Sequence, residues 1–138
     1  MIVLDASAFV KLTIDESGSD FVRRKIDLEA KRGEPIYAPD IALAEAMNAI
    51  WKYSSLKGQK NVDPHKTLAD LMLIWDKLTI VDTETLASIA MKIAIENRIT
   101  IYDALYAALS KLNRAPLLTF DRYLKSKAGK IGIELSTP

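Results

Sequence analysis

Short runs of apolar residues alternate with longer stretches in which apolar residues recur every three or four positions. Five short runs predict β-strands, at residues 2–4, 36–38, 78–81, 116–119 and 131–135, the last of them at a sheet edge. The longer stretches predict helices at residues 17–32, 39–56, 63–77, 82–97 and 100–111, with a short helix after Asp121. The first run, Ile-Val-Leu, is typical of a strand that is buried on both faces.

Strands that alternate with helices predict an α/β fold of three layers, in which helices cover both faces of a central parallel sheet of about five strands. The chain has 138 residues, an ordinary length for one domain, and we find no repeat, low-complexity tract or linker in it. We therefore expect a single domain over residues 1–138. In this class of fold, ligands bind at the carboxyl ends of strands, near the point where the strand order reverses.

Composition narrows the possible chemistry. The absence of cysteine excludes disulfides, thiolate zinc sites and a cysteine nucleophile, and a single histidine, His65, excludes a histidine-rich metal site. No apolar run approaches the roughly 18–20 residues needed to cross a bilayer. Residues 1–9 also lack the basic start of a signal peptide. We therefore expect a cytoplasmic protein with no membrane partner.

The distribution of charge is more informative than its sum. The formal charge of +1 gives no overall signature of nucleic-acid binding. Residues 111–130, however, carry six basic side chains against one acid, so this stretch is either a solvated face or a rim that binds phosphates through Arg122 and Lys125. Lys11, near the N-terminus, is either a further phosphate contact or simply exposed.

Most of the 18 carboxylates have ordinary structural explanations. Asp40, Asp63 and Asp82 each precede a predicted helix, so we expect them to be N-caps. Asp70 has apolar neighbours in sequence, but it falls opposite the apolar stripe of its helix and is predicted at the surface. Four acids do not fit these explanations as well: Asp5, Glu45, Asp103 and Asp121.

Two of the four acids follow buried strands. Asp5 ends the first strand and Asp121 comes directly after the strand at 116–119, so the topology predicts that they lie near each other. The structural alternative for Asp5 is an N-cap of the helix that follows, although Ser7 is also available for that role.

The other two acids lie on apolar helices. Glu45 is expected on a second face of its helix with Asn48, which can hydrogen-bond to its carboxylate, while Leu43, Met47, Ile50 and Ser54 form the predicted core stripe. The alternative is an exposed Glu45 beside Lys52.

Asp103 matches a capping box with Thr100, but the rest of its helix is apolar nearly all round. A carboxylate on a buried helix is costly unless it is paired or binds a cation.

Four carboxylates that converge must take up protons or bind a cation. Oxygen ligands without histidine or cysteine favour Mg²⁺ or Mn²⁺ over Zn²⁺. Such an ion binds phosphate oxygens and activates water, which predicts phosphodiester hydrolysis without a protein nucleophile. The hydroxyls of Ser7 and Thr119 are expected to orient the ligands from behind.

The sequence resembles the PIN domain family, specifically the VapC-type ribonuclease toxins of toxin–antitoxin pairs. The similarity covers essentially the whole chain and is carried by residues 3–7, 44–48, 101–109 and 118–121, in that order. The resemblance implies a Mg²⁺- or Mn²⁺-dependent endoribonuclease with Asp5, Glu45, Asp103 and Asp121 as metal-binding acids. It also implies an RNA substrate for the basic residues, a homodimer, and a VapB-type antitoxin that occupies the groove near the acids.

The sequence departs from this family at one place. Many relatives have another acid two or three residues after the last aspartate, where this chain has Tyr123 and Leu124. We therefore expect one firmly bound ion, and the second ion is uncertain.

Two other functions are compatible with the pattern. The first is an idle PIN-like protein that binds or regulates, which the presence of all four acids disfavours. The second is another phosphoryl-handling α/β protein; a dehalogenase-like phosphatase would need an aspartate where Ser7 stands, and a receiver domain would need an acidic pair that we do not find. Four large side chains are expected to pack in the core or, alternatively, to line a groove for a partner: Met47, Trp51, Met72 and Trp75.

Overall fold

The computed structural model describes residues 1–56 and 62–138. Within these ranges, four short strands form one parallel sheet in the order β3-β2-β1-β4. The strands are β1 (Ile2–Leu4), β2 (Ile36–Pro39), β3 (Thr79–Val81) and β4 (Leu117–Leu118). The order reverses beside β1, so the space between the ends of β1 and β4 is where this class of fold binds ligands.

Helices cover both faces of the sheet, which confirms the predicted three-layer α/β fold. They are α1 (Ala6–Val10), α2 (Ser19–Lys31), α3 (Ile41–Trp51), α4 (Pro64–Trp75), α5 (Thr83–Asn97), α6 (Ile101–Asn113) and α7 (Arg122–Ile131). A π-helical turn, Lys52–Leu56, extends α3. In the described part of the chain, no helix is both long enough and apolar enough to span a membrane.

The strands divide the interior into two cores because successive side chains of a strand point to opposite faces. Val3 and Leu117 pack with side chains of α5, α6 and α7 on one face. Ile2, Leu4 and Leu118 pack with side chains of α1, α2, α3 and α4 on the other. All five strand residues are fully buried, as the apolar runs predicted.

The predicted edge strand at residues 131–135 is absent from the described sheet. Helix α7 continues to Ile131, whose side chain is buried in the core, and Gly132 ends the helix with a left-handed backbone (φ 79°). The few residues that remain make a single bridge, from Leu135 to Leu117.

The predicted N-caps hold at two of three positions. Asp63 accepts from the backbone of α4 and Asp82 from the backbone of α5. Asp40 does not cap α3; its carboxylate instead accepts from the backbone N–H and the hydroxyl of Thr83, at distances of 3.0 and 2.6 Å. Asp40 therefore ties the end of β2 to the start of α5.

The predicted core stripe of α3 is correct at Ile50, which is buried, and in part at Leu43, which packs against the core, but it is wrong at Met47. The other buried side chains of α3 are Ala42 and Ala46, whose small size lets α3 pack closely against α1. This phase leaves Met47 at 43% and Trp51 at 51% of their full exposure.

Helix α4 follows the prediction more closely. Trp75 packs against Phe9, with ring centroids 5.8 Å apart, while Met72 lies largely outside the core. Asp70 and His65 are exposed, as expected.

Candidate active site

The topology brings the two strand-end acids to one edge of the sheet. Asp5 directly follows β1, and Asp121 lies three residues after β4, the strand that pairs with β1. Glu45 lies in the middle of α3, and Asp103 lies in the first turn of α6, which packs on β1. The four acids predicted from the sequence therefore come from two strand ends and two helices.

Asp5 is held by a dense set of hydrogen bonds and is only 4% exposed. Its Oδ1 accepts from the Ser7 hydroxyl at 2.6 Å and from the Ala8 backbone N–H at 2.9 Å. Its Oδ2 accepts from the hydroxyl of Thr119. Asp5 is thus the N-cap of α1, and this role is compatible with a ligand because an ionised carboxylate accepts about four hydrogen bonds or metal contacts.

The two hydroxyls also hold the loop that follows β4. Ser7 Oγ accepts from the backbone N–H of Phe120 at 2.9 Å, and Thr119 Oγ1 accepts from that of Asp121 at 3.0 Å. Each hydroxyl therefore bridges the Asp5 carboxylate and the loop that carries Asp121. Both hydroxyls thus contact Asp5, and their predicted role in orienting metal ligands stays a prediction.

Glu45 has a partner that the sequence interpretation missed. The Tyr106 hydroxyl, on α6, donates to Glu45 Oε1 at 2.7 Å, and the tyrosine is almost fully buried. These residues are 61 positions apart, so no local pattern reveals the bond. The available signal was a tyrosine on an otherwise apolar buried helix, since a buried hydroxyl requires a partner.

The remaining two acids begin helices. The Thr100 hydroxyl accepts from the Asp103 backbone N–H at 3.2 Å, which confirms the predicted cap of α6. Asp121 Oδ1 accepts from the backbone N–H of Leu124 at 2.7 Å and so caps α7. The first turn of each helix thereby fixes the place from which its carboxylate projects.

Burial and mutual repulsion favour the protonated state of Asp5. Burial raises the pKa of its carboxyl group to about 6, although the bonds from Ser7, Thr119 and Ala8 act in the opposite direction. The negative charge of Asp121 raises this pKa further. In the absence of a cation, the negative charge of a carboxylate at this position is therefore only partly balanced by its surroundings.

The same electrostatic coupling extends to the helix acids. Burial raises the pKa of Asp103, and the charge of Asp121 adds to this effect. Burial also raises the pKa of Glu45; the bond from Tyr106 opposes the shift, and the charge of Asp103 reinforces it. The charge of Asp121 thus raises the pKa of both Asp5 and Asp103, and the charge of Asp103 raises that of Glu45.

The four acids do not form a ready-made metal cage. Across residues 1–56 and 62–138, no three side chains of the metal-binding types lie close enough together to hold an ion as they stand. Oxygen donors alone, raised pKa values and mutual repulsion nevertheless fit a hard divalent cation. The acids that would hold one are Asp5, Glu45, Asp103 and Asp121.

The predicted surroundings of Glu45 are correct only in part. Asn48 and Lys52 share its face of α3, but neither is bonded to Glu45 among the described contacts. This face lines a cavity of about 620 Å³ between α1, α3 and the start of α6. Its lining residues are Ala6, Ser7, Val10, Lys11, Glu16, Ile41, Ala44, Glu45, Asn48, Ala49, Lys52, Tyr53, Tyr102 and Phe120.

Lys11 is buried, which contradicts the expectation that it is simply exposed. Its ammonium donates to Glu16 Oε1 at 2.6 Å and to the Ser17 carbonyl at 2.8 Å, and it lies 4.5 Å from the centre of the Phe120 ring.

The backbone of Gly18 packs against the same ring. A Cβ at this position would lie 2.5 Å from a ring carbon, and the backbone φ of +90° also favours glycine.

Arg122 and Lys125, predicted to belong either to a solvated face or to a phosphate-binding rim, lie on α7. Arg122 is exposed, while the ammonium of Lys125 lies 5.3 Å from the centre of the Phe120 ring. The positions where many relatives have a further acid contribute no carboxylate: Leu124 is buried, and the Tyr123 hydroxyl donates to the carbonyl of Arg98.

The chain is similar in sequence to two proteins of the VapC type. Ribonuclease VapC3 of Pyrobaculum aerophilum is 27% identical over 126 residues, which cover 91% of this chain and 93% of the relative. Exonuclease VapC9 of the same organism is also 27% identical over 126 residues, covering 91% and 92% of the two chains.

A solved structure of VapBC2 from Rickettsia felis, bound to a DNA fragment from the promoter, has a similar fold. Its TM-score is 0.71 at 19% identity, and the match covers 99% of this chain and 98% of the other. The family model described as PIN domain matches residues 2–130. The chain therefore belongs to the PIN domain family, within which it resembles VapC-type proteins.

Proposed function

We propose that this protein is a ribonuclease toxin of the VapC type that hydrolyses RNA phosphodiester bonds with the help of Mg²⁺ or Mn²⁺. The observation that carries the proposal is the electrostatic coupling of four carboxylates at the carboxyl edge of β1 and β4. Gathered carboxylates raise the free energy of the metal-free protein, and a divalent cation relieves this repulsion.

The residues divide the work as follows. Asp5, Glu45, Asp103 and Asp121 would hold the ion, which when bound neutralises phosphate charge and lowers the pKa of water. Ser7 and Thr119 fix the Asp5 carboxylate through their hydrogen bonds. Tyr106 fixes one oxygen of Glu45 and leaves the other oxygen without a hydrogen bond from the described residues.

We further propose one firmly bound ion per chain. The places of the additional acid in many relatives hold Tyr123 and Leu124, so a second ion would lack that ligand. Titration with Mn²⁺ measured by calorimetry or by electron paramagnetic resonance counts the ions, and two tight sites would contradict the proposal.

The proposed partners follow from the resemblance to VapC proteins. They are a VapB-type antitoxin and a second copy of this chain, and RNA as a substrate implies a cytoplasmic location. Copurification with the product of a neighbouring gene, and the mass of the free protein in solution, test the two assemblies separately.

The central test is cleavage of labelled RNA with Mg²⁺, with Mn²⁺ and with a chelator. We expect the native chain to cleave only with a metal, and Glu45→Gln to lose this activity. Asp70→Asn, which changes an exposed acid on α4, is the matched control and should keep full activity. Activity that survives both the chelator and Glu45→Gln would overturn the proposal.

A circular RNA distinguishes the two modes of attack. We expect an endonuclease, which opens the circle, whereas an exonuclease leaves it intact. The relative named exonuclease VapC9 makes this comparison necessary.

A further inference from the structure

The large cavity opens directly beside the acids. Glu45 belongs both to the coupled acids and to the cavity wall, and Ser7, which holds Asp5, lines it as well. A molecule in this cavity therefore lies next to whatever the acids bind. At about 620 Å³ the cavity is within the usual range for small-molecule sites, about 300–1,000 Å³, so it has room for a nucleobase with its sugar.

Tyr102 is the unusual residue of this wall. It immediately precedes Asp103, is 58% exposed, and makes no hydrogen bond or ring contact within the described part of the chain. More than half of the Tyr102 surface is therefore open to a ligand. The ring provides an aromatic surface on a cavity wall that also includes Tyr53 and Phe120.

Tyr123 shows what a structural tyrosine at this end of the molecule looks like. It has nearly the same exposure, 51%, and it follows Asp121 by two residues. Its hydroxyl, however, donates to the Arg98 carbonyl at 3.1 Å, and the Lys127 ammonium lies 5.4 Å from its ring centre. Tyr123 does not line the cavity.

We propose that the cavity binds the unpaired base of a nucleotide next to the cleaved phosphate, with Tyr102 as its stacking surface. This proposal rests on the proposed function, because it assigns a specificity to the same site. Bases stack on aromatic side chains when the strand is single, whereas paired bases are not available for such contacts. Lys52, exposed at the rim, is placed to meet the backbone of the same strand.

An apolar side chain of a protein partner is the competing occupant. The base is favoured because Glu45, one of the four acids, is part of the cavity wall. A nucleotide next to the cleaved phosphate would therefore have its base in the cavity. The side-chain amide of Asn48 on the wall also offers a donor and an acceptor to the edge of a base.

The test measures binding of a fluorescein-labelled eight-nucleotide single-stranded RNA and of the same sequence in a duplex, by anisotropy in the presence of a chelator. We expect the native chain to prefer the single strand. Tyr102→Ala should weaken single-strand binding about tenfold and leave duplex binding unchanged. Tyr102→Phe should bind as the native chain does, and Tyr123→Ala, the matched control, should show no loss.

Replacing one nucleotide at a time with an abasic residue locates the contact. For the native chain, we expect an abasic residue at one or two positions of the RNA to weaken binding. In Tyr102→Ala, the same abasic residues should leave the affinity unchanged. The proposal is overturned if the native chain does not bind the single strand, if it binds the duplex equally well, or if Tyr102→Ala and Tyr123→Ala behave alike. Loss of VapB-type antitoxin binding in Tyr102→Ala, with unchanged RNA binding, would assign the cavity to the protein partner.

The outcome is separable from that of the proposed function. If the native chain cleaves RNA with metal but Tyr102→Ala binds RNA as tightly as the native chain does, only the base site is refuted. Single-strand binding that depends on Tyr102, without cleavage under any metal condition, refutes the nuclease and leaves the base site.

Discussion

The two halves of the candidate site are built in different ways. The strand half consists of Asp5, Ser7, Thr119 and Asp121; its central carboxylate is buried and accepts three hydrogen bonds from within the protein. The helix half consists of Glu45, Asp103 and Tyr106. Its two carboxylates are half-buried; in the described part of the chain the Tyr106 hydroxyl donates to Glu45, and a hydrogen bond with the Thr100 side chain opposes the rise in the pKa of Asp103.

This difference indicates which half is preorganised. Asp5 is fixed by three hydrogen bonds, so we expect the strand half to keep this arrangement when a ligand binds. The helix carboxylates have fewer hydrogen bonds, and no ready-made three-ligand cage exists among the described residues, so we expect them to move on binding. We therefore expect a cation to dock on the strand half and to draw in the helix acids.

The largest expected effect follows from removing the centre of the strand half. Mutating a residue that hydrogen-bonds to a metal ligand typically reduces activity about 10- to 100-fold. Asp5→Asn should reduce metal-dependent RNA cleavage by more than this, because it removes the proposed ligand itself. Asparagine also caps helices well, so the fold should be kept. Cleavage rates and circular dichroism check this, and near-native cleavage by the variant would contradict it.

The second prediction concerns stability in the absence of metal. Because the pKa of Asp5 is about 6 in the folded protein and 3.8 without the fold, the folded state binds more protons between these values. Its free energy of unfolding should therefore fall by about 3 kcal/mol as the pH rises from about 4 to about 6.

Denaturant titrations of the metal-free protein across this range measure the loss. Asp5→Asn should lack this contribution and be no less stable than the native chain at pH 7. Added Mg²⁺ should restore stability to the native chain alone. A marked fall in the midpoint of the metal-free variant would instead mean that Asp5 serves mainly as a structural cap.

The third prediction tests the helix half. Tyr106→Phe removes the bond that orients Glu45, so the Mn²⁺ dissociation constant should rise about tenfold with little change in thermal stability. Calorimetric titration with Mn²⁺ gives the affinity without relying on cleavage. Tyr123→Phe, which removes a bond on α7, is the control and should leave Mn²⁺ affinity unchanged. Equal affinities in both variants would show that Tyr106 only packs.

The smallest expected effect lies outside both halves. Neutralising Arg122 and Lys125 to glutamine should lower the slope of log affinity against log salt by about 1.4 for single-stranded RNA. The matched control neutralises Lys31 and Lys92, which are exposed on α2 and α5. If the salt dependence of the Arg122 and Lys125 variant is unchanged, these residues do not contact RNA phosphates and belong to a solvated face.

The sequence predicted best what depends on chain direction and burial. Asp5 and Asp121 were placed together because they follow neighbouring buried strands, and β1 indeed pairs with β4. The second face of α3, with Glu45 and Asn48, was found from helical spacing alone and does line one cavity. These features depend on residues a few positions apart, which a sequence shows directly.

The missed features depend on contacts between distant segments. The bond from Tyr106 to Glu45 and the bond from Thr83 to Asp40 each join two elements, and nothing local specifies them. The exposure of Trp51 depends on which face of α3 packs inward. The small Ala42 and Ala46 decide this, and hydrophobicity alone does not predict it.

The contact between Gly18 and Phe120 has a consequence for the cavity. Any larger residue at position 18 must push the ring out of its place, and that ring is part of the cavity wall. A larger residue at position 18 would thus reshape the cavity beside Glu45 without replacing any of the four acids. Under the proposed function, we expect such a substitution to change which RNA the protein accepts.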